Sequence, residues 1–374
     1  MNLLPTHRIA GRITAIAFAL LSASLAFAAD VSVPILALTT RGFFNDDSIF
    51  TLGTRGQVEL LIAGGFKFGG EILMEFESDD LEDTSSEENL AFRGAKITMR
   101  NPLGLPLDLA YFTGENDVFG AGDLFPDYFG ARAIASSFRG YLYFPDPDQV
   151  RYDGIHTVSG TGLKISTSFL TDWNTTTAYI YQDTYLGTGN YSADLWTSIN
   201  SESFKLEAFV GASFPASTLG YWRAGLLLFY DTGQGGEFLT QIGIPRLDPA
   251  NDEASLDLFY LLFEPRISFG VFSIILTLFW HPEYYLQIET GEVGSADINA
   301  KFQFGRPNES VASGGVEAKL GFSSTGDDQF SAIVAPYISV ITSGVVWDFK
   351  VNTKVFPFAL NDLVEIFVSV RAEY

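Results

Sequence analysis

ADINAKFQF, residues 296–304, alternates without a fault, with Ala296, Ile298, Ala300, Phe302 and Phe304 on one side and Asp297, Asn299, Lys301 and Gln303 on the other. A period of two in an extended chain puts these sets on opposite faces of a strand. One face suits an apolar medium and the other suits water. The scheme recurs in EILMEFE (71–77), GAKITMR (94–100), LKISTSF (163–169), FKLEAFVGAS (204–213), VEAKLGFS (316–323) and VVWDFKVNTKV (345–355). Turn signals separate these segments: Gly64-Gly65, Asn101-Pro102, Gly160-Thr161-Gly162, Ser201-Glu202-Ser203, Gly233 to Gly236, His281-Pro282 and Thr325-Gly326-Asp327. No segment carries a helical period, so the chain reads as all-β, an antiparallel meander of hairpins in one domain.

Two architectures satisfy this pattern. In a soluble sandwich the apolar faces pack on each other; in a transmembrane barrel they face lipid while the polar faces line the lumen. Strands of roughly ten residues match the length that a tilted strand needs to cross a bilayer. Aromatic residues on the apolar faces, among them Tyr191, Phe204, Phe302, Phe304, Phe322, Trp347 and Phe349, suit the rings that gather at the two membrane interfaces. These features favour a single closed transmembrane barrel. At about 20 residues per strand with half its connections, the expected count is about 16, within 14–18, and even.

The start of the sequence agrees with export. His7, Arg8 and Arg12 precede the apolar run ITAIAFALLSASL, and Ala26-Phe27-Ala28 supplies the small-residue site of a signal peptidase. The run is too short for a spanning helix. A signal peptide over 1–28 and a barrel over 29–374 are therefore expected.

The chain has no cysteine, which removes thiol catalysis, disulfides and thiolate metal sites. It carries 22 Lys+Arg against 45 Asp+Glu. Arg8 and Arg12 lie in the expected signal, so the rest holds 20 against 45, a balance of −25. Nucleic acid is an unsuitable partner for such a surface. With 47% hydrophobic residues the chain is also too apolar to be disordered.

VEIFVSVRAEY, residues 364–374, places Ile366, Val368, Val370, Ala372 and Tyr374 on one face, and only Phe367 breaks the alternation. The segment resembles the C-terminal assembly signal of Gram-negative-type outer-membrane β-barrel proteins, with Tyr374 where that family most often has Phe. The resemblance implies a porin-like barrel in a bacterial outer membrane, with the lipid bilayer, the barrel-assembly machinery and small solutes or ions as partners. A homotrimer falls within the same resemblance, and neither cofactor nor metal is implied. VSVPILALTT, from Val31, is a suitable partner strand for closing the cylinder, since an open strand edge in hydrocarbon leaves polar groups unsatisfied.

Lumen-facing candidates follow from the alternation: Glu71, Glu75, Lys96, Arg100, Lys205, Glu207, Asp297, Lys301, Glu317, Lys319, Asp348 and Lys350. Cations and anions nearly balance on these faces, which leaves the acid excess in connections such as SDDLEDTSSEE (78–88). A wide barrel cannot be filled by its wall side chains, and a mixed lining orients solutes and sets ion preference. The longest connection is read from Gly114 to Gly140, after the fifth strand. It carries the constriction candidates Glu115, Asp117, Asp123 and Asp127, then Arg132 and Arg139. By the same resemblance it is the third external loop, which folds into the channel in general porins.

The expected function is passive diffusion of small hydrophilic solutes with a preference for cations. Two alternatives stand beside it. SLDLFYLLFEPRISFGVFSIILTLFW (255–280) is apolar on both faces and reads as two strands whose inner face packs on an inserted loop or on a hydrophobic cargo. The cargo option makes the barrel a transporter of fatty or aromatic compounds. Acidic surface loops also fit an adhesin or structural barrel without conductance. An enzyme is not expected: His156 and His281 belong to no nucleophile or metal spacing and read as polar turn residues.

Overall fold

The computed structural model describes residues 29–44, 49–78, 89–121, 154–168, 174–214, 220–253, 255–286, 288–289, 294–305, 310–323, 330–358 and 363–372. The expected signal peptide, Asp123, Asp127, Arg132, Arg139 and Tyr374 lie outside the described residues.

The strands in chain order are β1 (Ala29–Phe44), β2 (Phe50–Gly64), β3 (Phe68–Ser78), β4 (Asn89–Arg100), β5 (Leu107–Phe119), β6 (His156–Ser168) and β7 (Asn174–Asp183). They continue as β8 (Tyr191–Asn200), β9 (Phe204–Phe214), β10 (Tyr221–Asp231), β11 (Gly236–Leu247), β12 (Tyr260–Phe269) and β13 (Phe272–Trp280). A small hairpin, β14 (Tyr284–Tyr285) with β15 (Ile288–Glu289), precedes β16 (Ala296–Phe304), β17 (Ala312–Phe322), β18 (Phe330–Thr342), β19 (Val345–Phe356) and β20 (Val364–Ala372). Apart from the hairpin they form one 18-stranded antiparallel sheet. Each strand pairs with the next, β13 pairs with β16, and β1 pairs with β20 from Leu36↔Ala372 to Gly42↔Ile366. The sheet is therefore a closed barrel without a free edge. Eighteen strands is the top of the expected range, because several connections at one end, such as 270–271 and 343–344, take only two residues.

The outward face is apolar. Leu38, Ile97, Ile180, Leu195, Ile267, Ile274 and Ile338 are all exposed on it, far beyond the apolar area that a water-soluble surface usually shows. Aromatic pairs ring both ends: Phe44–Phe50, Phe214–Trp222 and Phe322–Phe330 at the end bearing the long connections, Tyr230–Phe238 and Phe272–Phe302 at the short-turn end. These are the two girdles of a membrane barrel.

Three expectations of local structure are corrected. Gly160-Thr161-Gly162 is not a turn but lies inside β6. A Cβ at Gly160 would collide with the Tyr181 ring and the Gln182 carbonyl, and one at Gly162 with the Ile180 carbonyl and the Cβ of Tyr181, so these glycines make room for Tyr181 and the backbone of β7. The connection after β5 starts later than Gly114, since β5 runs on to Phe119. A bulge leaves Asn116 unpaired between Glu115↔Ser159 and Asp117↔Val158, and Gly114 carries the positive φ of 86° that prepares it. The stretch 255–280 forms two strands meeting at Gly270-Val271, but it is not apolar on both faces: Glu264 and Arg266 occupy buried inward positions of β12.

Candidate functional site

The lumen has two unlike walls. Along β5–β13 the inward positions are largely aromatic and aliphatic: Phe112, Tyr179, Tyr181, Phe209, Leu227, Phe229, Leu239, Tyr260 and Phe279 form a buried cluster with Phe119, Ile155, Val158 and Tyr285. Two connections supply the filling. Ile155, from the connection between β5 and β6, lies over Gly120, Gly225 and Gly243, where any side chain would displace it. Tyr285, from the connection between β13 and β16, packs edge-on against Tyr260 at 5.5 Å and Phe279 at 6.1 Å.

Hydrogen bonds fix this filling to the wall and to itself. The Gly120 N–H donates to Glu207 Oε2 at 3.2 Å, and Gln241 Nε2 donates to the Gly120 carbonyl. Tyr260 in turn donates to Gln241 Oε1 at 3.2 Å. The Leu286 N–H donates to the Ile155 carbonyl at 3.1 Å, which joins the two inserted connections. Arg246 is held between the rings of Tyr221 and Tyr284, at 4.4 and 5.0 Å. Burial pushes the Tyr284 hydroxyl up to about 12, against the opposing pull of Arg246, so it stays a neutral phenol.

Beneath the filling lies a buried polar chain. Arg223 grips Asp194 with two hydrogen bonds of 2.6 and 2.8 Å and reaches Ser213 at 2.6 Å. Tyr181 donates to Asp194 at 2.9 Å, while Ser192 links Ser213 to Asp183 with two contacts of 2.7 Å. A bidentate guanidinium–carboxylate pair with its remaining groups satisfied is the form in which buried charge is tolerated.

The other wall, from β16 through β20 and β1 to the start of β6, is laced with ion pairs. Lys96 meets Glu71 at 2.8 Å, and Arg93 bridges Glu75 at 3.1 Å and Glu115 at 2.9 Å. Lys164 meets Asp117 at 2.7 Å, and Arg41 pairs with Glu365. On the far side Arg371 meets Asp348 at 3.1 Å, Lys319 meets Asp297 at 3.0 Å, and Glu317 accepts from Lys301 at 3.2 Å and Lys350 at 3.3 Å. Several of these side chains keep roughly a quarter to a third of their surface open, including Arg93, Glu115, Asp117, Arg41 and Glu365.

The sequence-derived residues fall as follows. Glu71, Glu75, Lys96, Asp297, Lys301, Glu317, Lys319, Asp348 and Lys350 take part in these pairs. Glu207 holds Gly120, and Lys205 lies two residues away on the same strand, at its short-turn end. Arg100 is not an ion-pair member of this wall: it donates to the Gly65 and Phe66 carbonyls at the short-turn rim, at 3.3 and 2.6 Å. Glu115 and Asp117 lie on β5 itself rather than in a loop, because the bulge at Asn116 extends the strand past them. Ile366, Val368 and Val370 lie on the strand that closes the barrel, and Phe367 breaks the alternation because it is buried among the inward positions.

Sequence reading missed Arg93 and Arg223. Arg93 is the extra residue of a second bulge, between Leu73↔Gly94 and Met74↔Phe92, which shifts it out of the alternating count. Arg223 was detectable as the lone cation in YWRAGLLLFYD. Of the two histidines read as polar turn residues, His281 does lie in the connection after β13, though buried, and His156 does not lie in a turn. His156 opens β6 and is buried beside Phe119 and Tyr181, and His281 accepts or donates one hydrogen bond of 3.0 Å with Asp297.

No family model matches the chain, and no curated protein matches it. Solved structures do. The chain resembles Pseudomonas aeruginosa OpdL with a TM-score of 0.56 at 12% identity, over 92% of this chain and 98% of that one. It resembles Pseudomonas aeruginosa OccK8 (OprE) with a TM-score of 0.52 at 10% identity, over the same shares. A substituted Rh. blastica porin aligns over 92% of this chain and 100% of its own, with a TM-score of 0.47 at 9% identity. At these identities the first two likenesses establish the fold.

Proposed function

We propose that this barrel sits in a bacterial outer membrane and passes small hydrophilic solutes by diffusion between its filled wall and its ion-paired wall. The observation that carries the reading is the set of partly open ion pairs Lys96–Glu71, Arg93–Glu115, Lys164–Asp117 and Arg41–Glu365 inside a closed barrel. Charges of both signs facing each other across water hold polar solutes in orientation and penalise apolar ones. Because each cation is matched by an acid, ion preference is set by the acid excess carried elsewhere, and it is a mild preference for cations. The likeness to OpdL and OccK8 supports the same reading at the level of fold.

The hydrophobic-cargo reading is weaker, since the inner face of β12 and β13 carries the buried Arg266–Glu264–Thr277 set, and its aromatic part, Tyr260 and Phe279, is covered by Tyr285 of the chain itself. A catalytic reading has less support still: each histidine ring is engaged with a buried neighbour, His156 with Tyr181 and His281 with Asp297. The export segment 1–28 and the closing strand, as a signal read by the barrel-assembly machinery, complete the proposal. Planar-bilayer recording of the refolded chain tests it. Stepwise, salt-dependent conductance is expected, with a reversal potential displaced toward the cation in a salt gradient; silent insertion would leave an adhesin or structural barrel instead.

A further inference from the structure

The short-turn rim carries an unusual pair of adjacent turns. The turn 65–67 presents Phe66 at 93% exposure, and the turn 101–106 presents Leu103 at 98% and Leu105 at 51%. Leu103 adopts φ 56° and its neighbour Asn101 φ 49°, a region that a branched or bulky side chain normally avoids. Both turns are held firmly. Asn101 N–H donates to the Leu107 carbonyl at 2.9 Å and Leu105 N–H to the Pro102 carbonyl at 3.0 Å. Arg100 ties the two turns together through the Gly65 and Phe66 carbonyls. The strained backbone therefore displays leucine to the outside, almost wholly uncovered by the described residues.

Two further observations say what covers it. The knob is continuous with the outward apolar face, through Phe68 at 63% and Ile97 at 64% exposure. The exposed charges beside the knob are Lys67, within the turn, and Asp30, opposite Ala63 at the end of β2; Arg100 lies behind, facing Asp108 across the β4–β5 register. Apolar side chains flanked by a lysine match the boundary between acyl chains and phosphate headgroups. The turns 201–203, 232–235 and 343–344 on the same rim present Ser, Thr, Glu, Gln and Gly instead, while a second exposed apolar group, Val271 and Val311 beside Phe269, Phe272 and Phe304, stands at the end of β12, β13 and β16.

We propose that turns 65–67 and 101–106 form a lipid anchor: Phe66, Leu103 and Leu105 enter the phospholipid leaflet at the short-turn end, and Lys67 meets its anionic headgroups. The anchor goes beyond solute passage and needs only that the barrel is inserted. Because the chain has no cysteine, single substitutions Leu103→Cys, Glu202→Cys and Leu195→Cys can each carry an environment-sensitive fluorophore. The full chain is refolded into vesicles of phosphatidylethanolamine and phosphatidylglycerol. The label at 195 reports insertion through quenching by acyl-chain nitroxides, and the label at 202 reports water through quenching by iodide. The label at 103 should follow the first and be several-fold less open to iodide than the second. Adding Lys67→Glu should weaken its lipid quenching in these vesicles but not in neutral phosphatidylcholine. A label at 103 as open to iodide as that at 202, with 195 still quenched by lipid, overturns the anchor alone. Loss of lipid quenching at 195 overturns the inserted barrel and the anchor with it.

Discussion

The two walls of the lumen obey one alternation and fill it differently. On β5–β13 the inward residue is often an aromatic or leucine buried beneath Ile155 and Tyr285; on β16–β20 and β1–β5 it is often one half of an ion pair. Where the chain covers its own wall, apolar contact is favoured and buried charge is kept in hydrogen-bonded sets such as Arg223–Asp194 and Arg266–Glu264. Where the wall faces an open passage, along β1–β6, paired charges keep part of their hydration, whereas Lys301, Glu317 and Arg371 on β16–β20 are buried within their pairs. The difference teaches that the inward side of a wide barrel is a mosaic, written locally by whichever segment lies over it.

Four substitutions probe this contrast. Asp194→Ala leaves the Arg223 guanidinium buried without its carboxylate and should cost about 4 kcal/mol, read as a lower denaturant midpoint for loss of the compact band on unheated gels. Tyr285→Ala opens a cavity between Tyr260 and Phe279 and should cost about 3 kcal/mol; in bilayers its single-channel conductance should exceed that of the parent, because the inserted segment loses its main aromatic contact. Lys96→Glu, on the open wall, should change stability by less than about 1 kcal/mol, as a half-exposed pair contributes little. Its effect belongs to selectivity, with the reversal potential moving further toward the cation. Thr113→Val removes only the outward hydroxyl contact with Thr161 and should stay within about 0.5 kcal/mol, with conductance unchanged.

The barrel was legible because its signal is additive: strand after strand repeats the period of two, and the closing strand 364–372 falls where the alternation ends. The open wall was legible for the same reason, since Lys96, Glu71, Lys319 and Asp348 sit at regular inward positions. The filled wall was not. Phe209, Tyr179 and Leu227 are apolar and face inward, so they blur the alternation that identifies a strand face, and only the tertiary placement of Ile155 and Tyr285 explains them. Bulges hid Arg93 and moved Glu115 and Asp117 onto a strand, because one unpaired residue reverses the parity of all that follows.

The most direct test of two walls and a lipid-facing exterior is thiol accessibility in this cysteine-free chain. Single cysteines at Lys96, Leu227 and Ile267, in the chain refolded into vesicles, should react with a small charged thiol reagent at 96 and resist it at 227 and 267. Rapid modification at 227 as well as 96 would contradict a filled wall, and rapid modification at 267 would contradict an exterior covered by lipid.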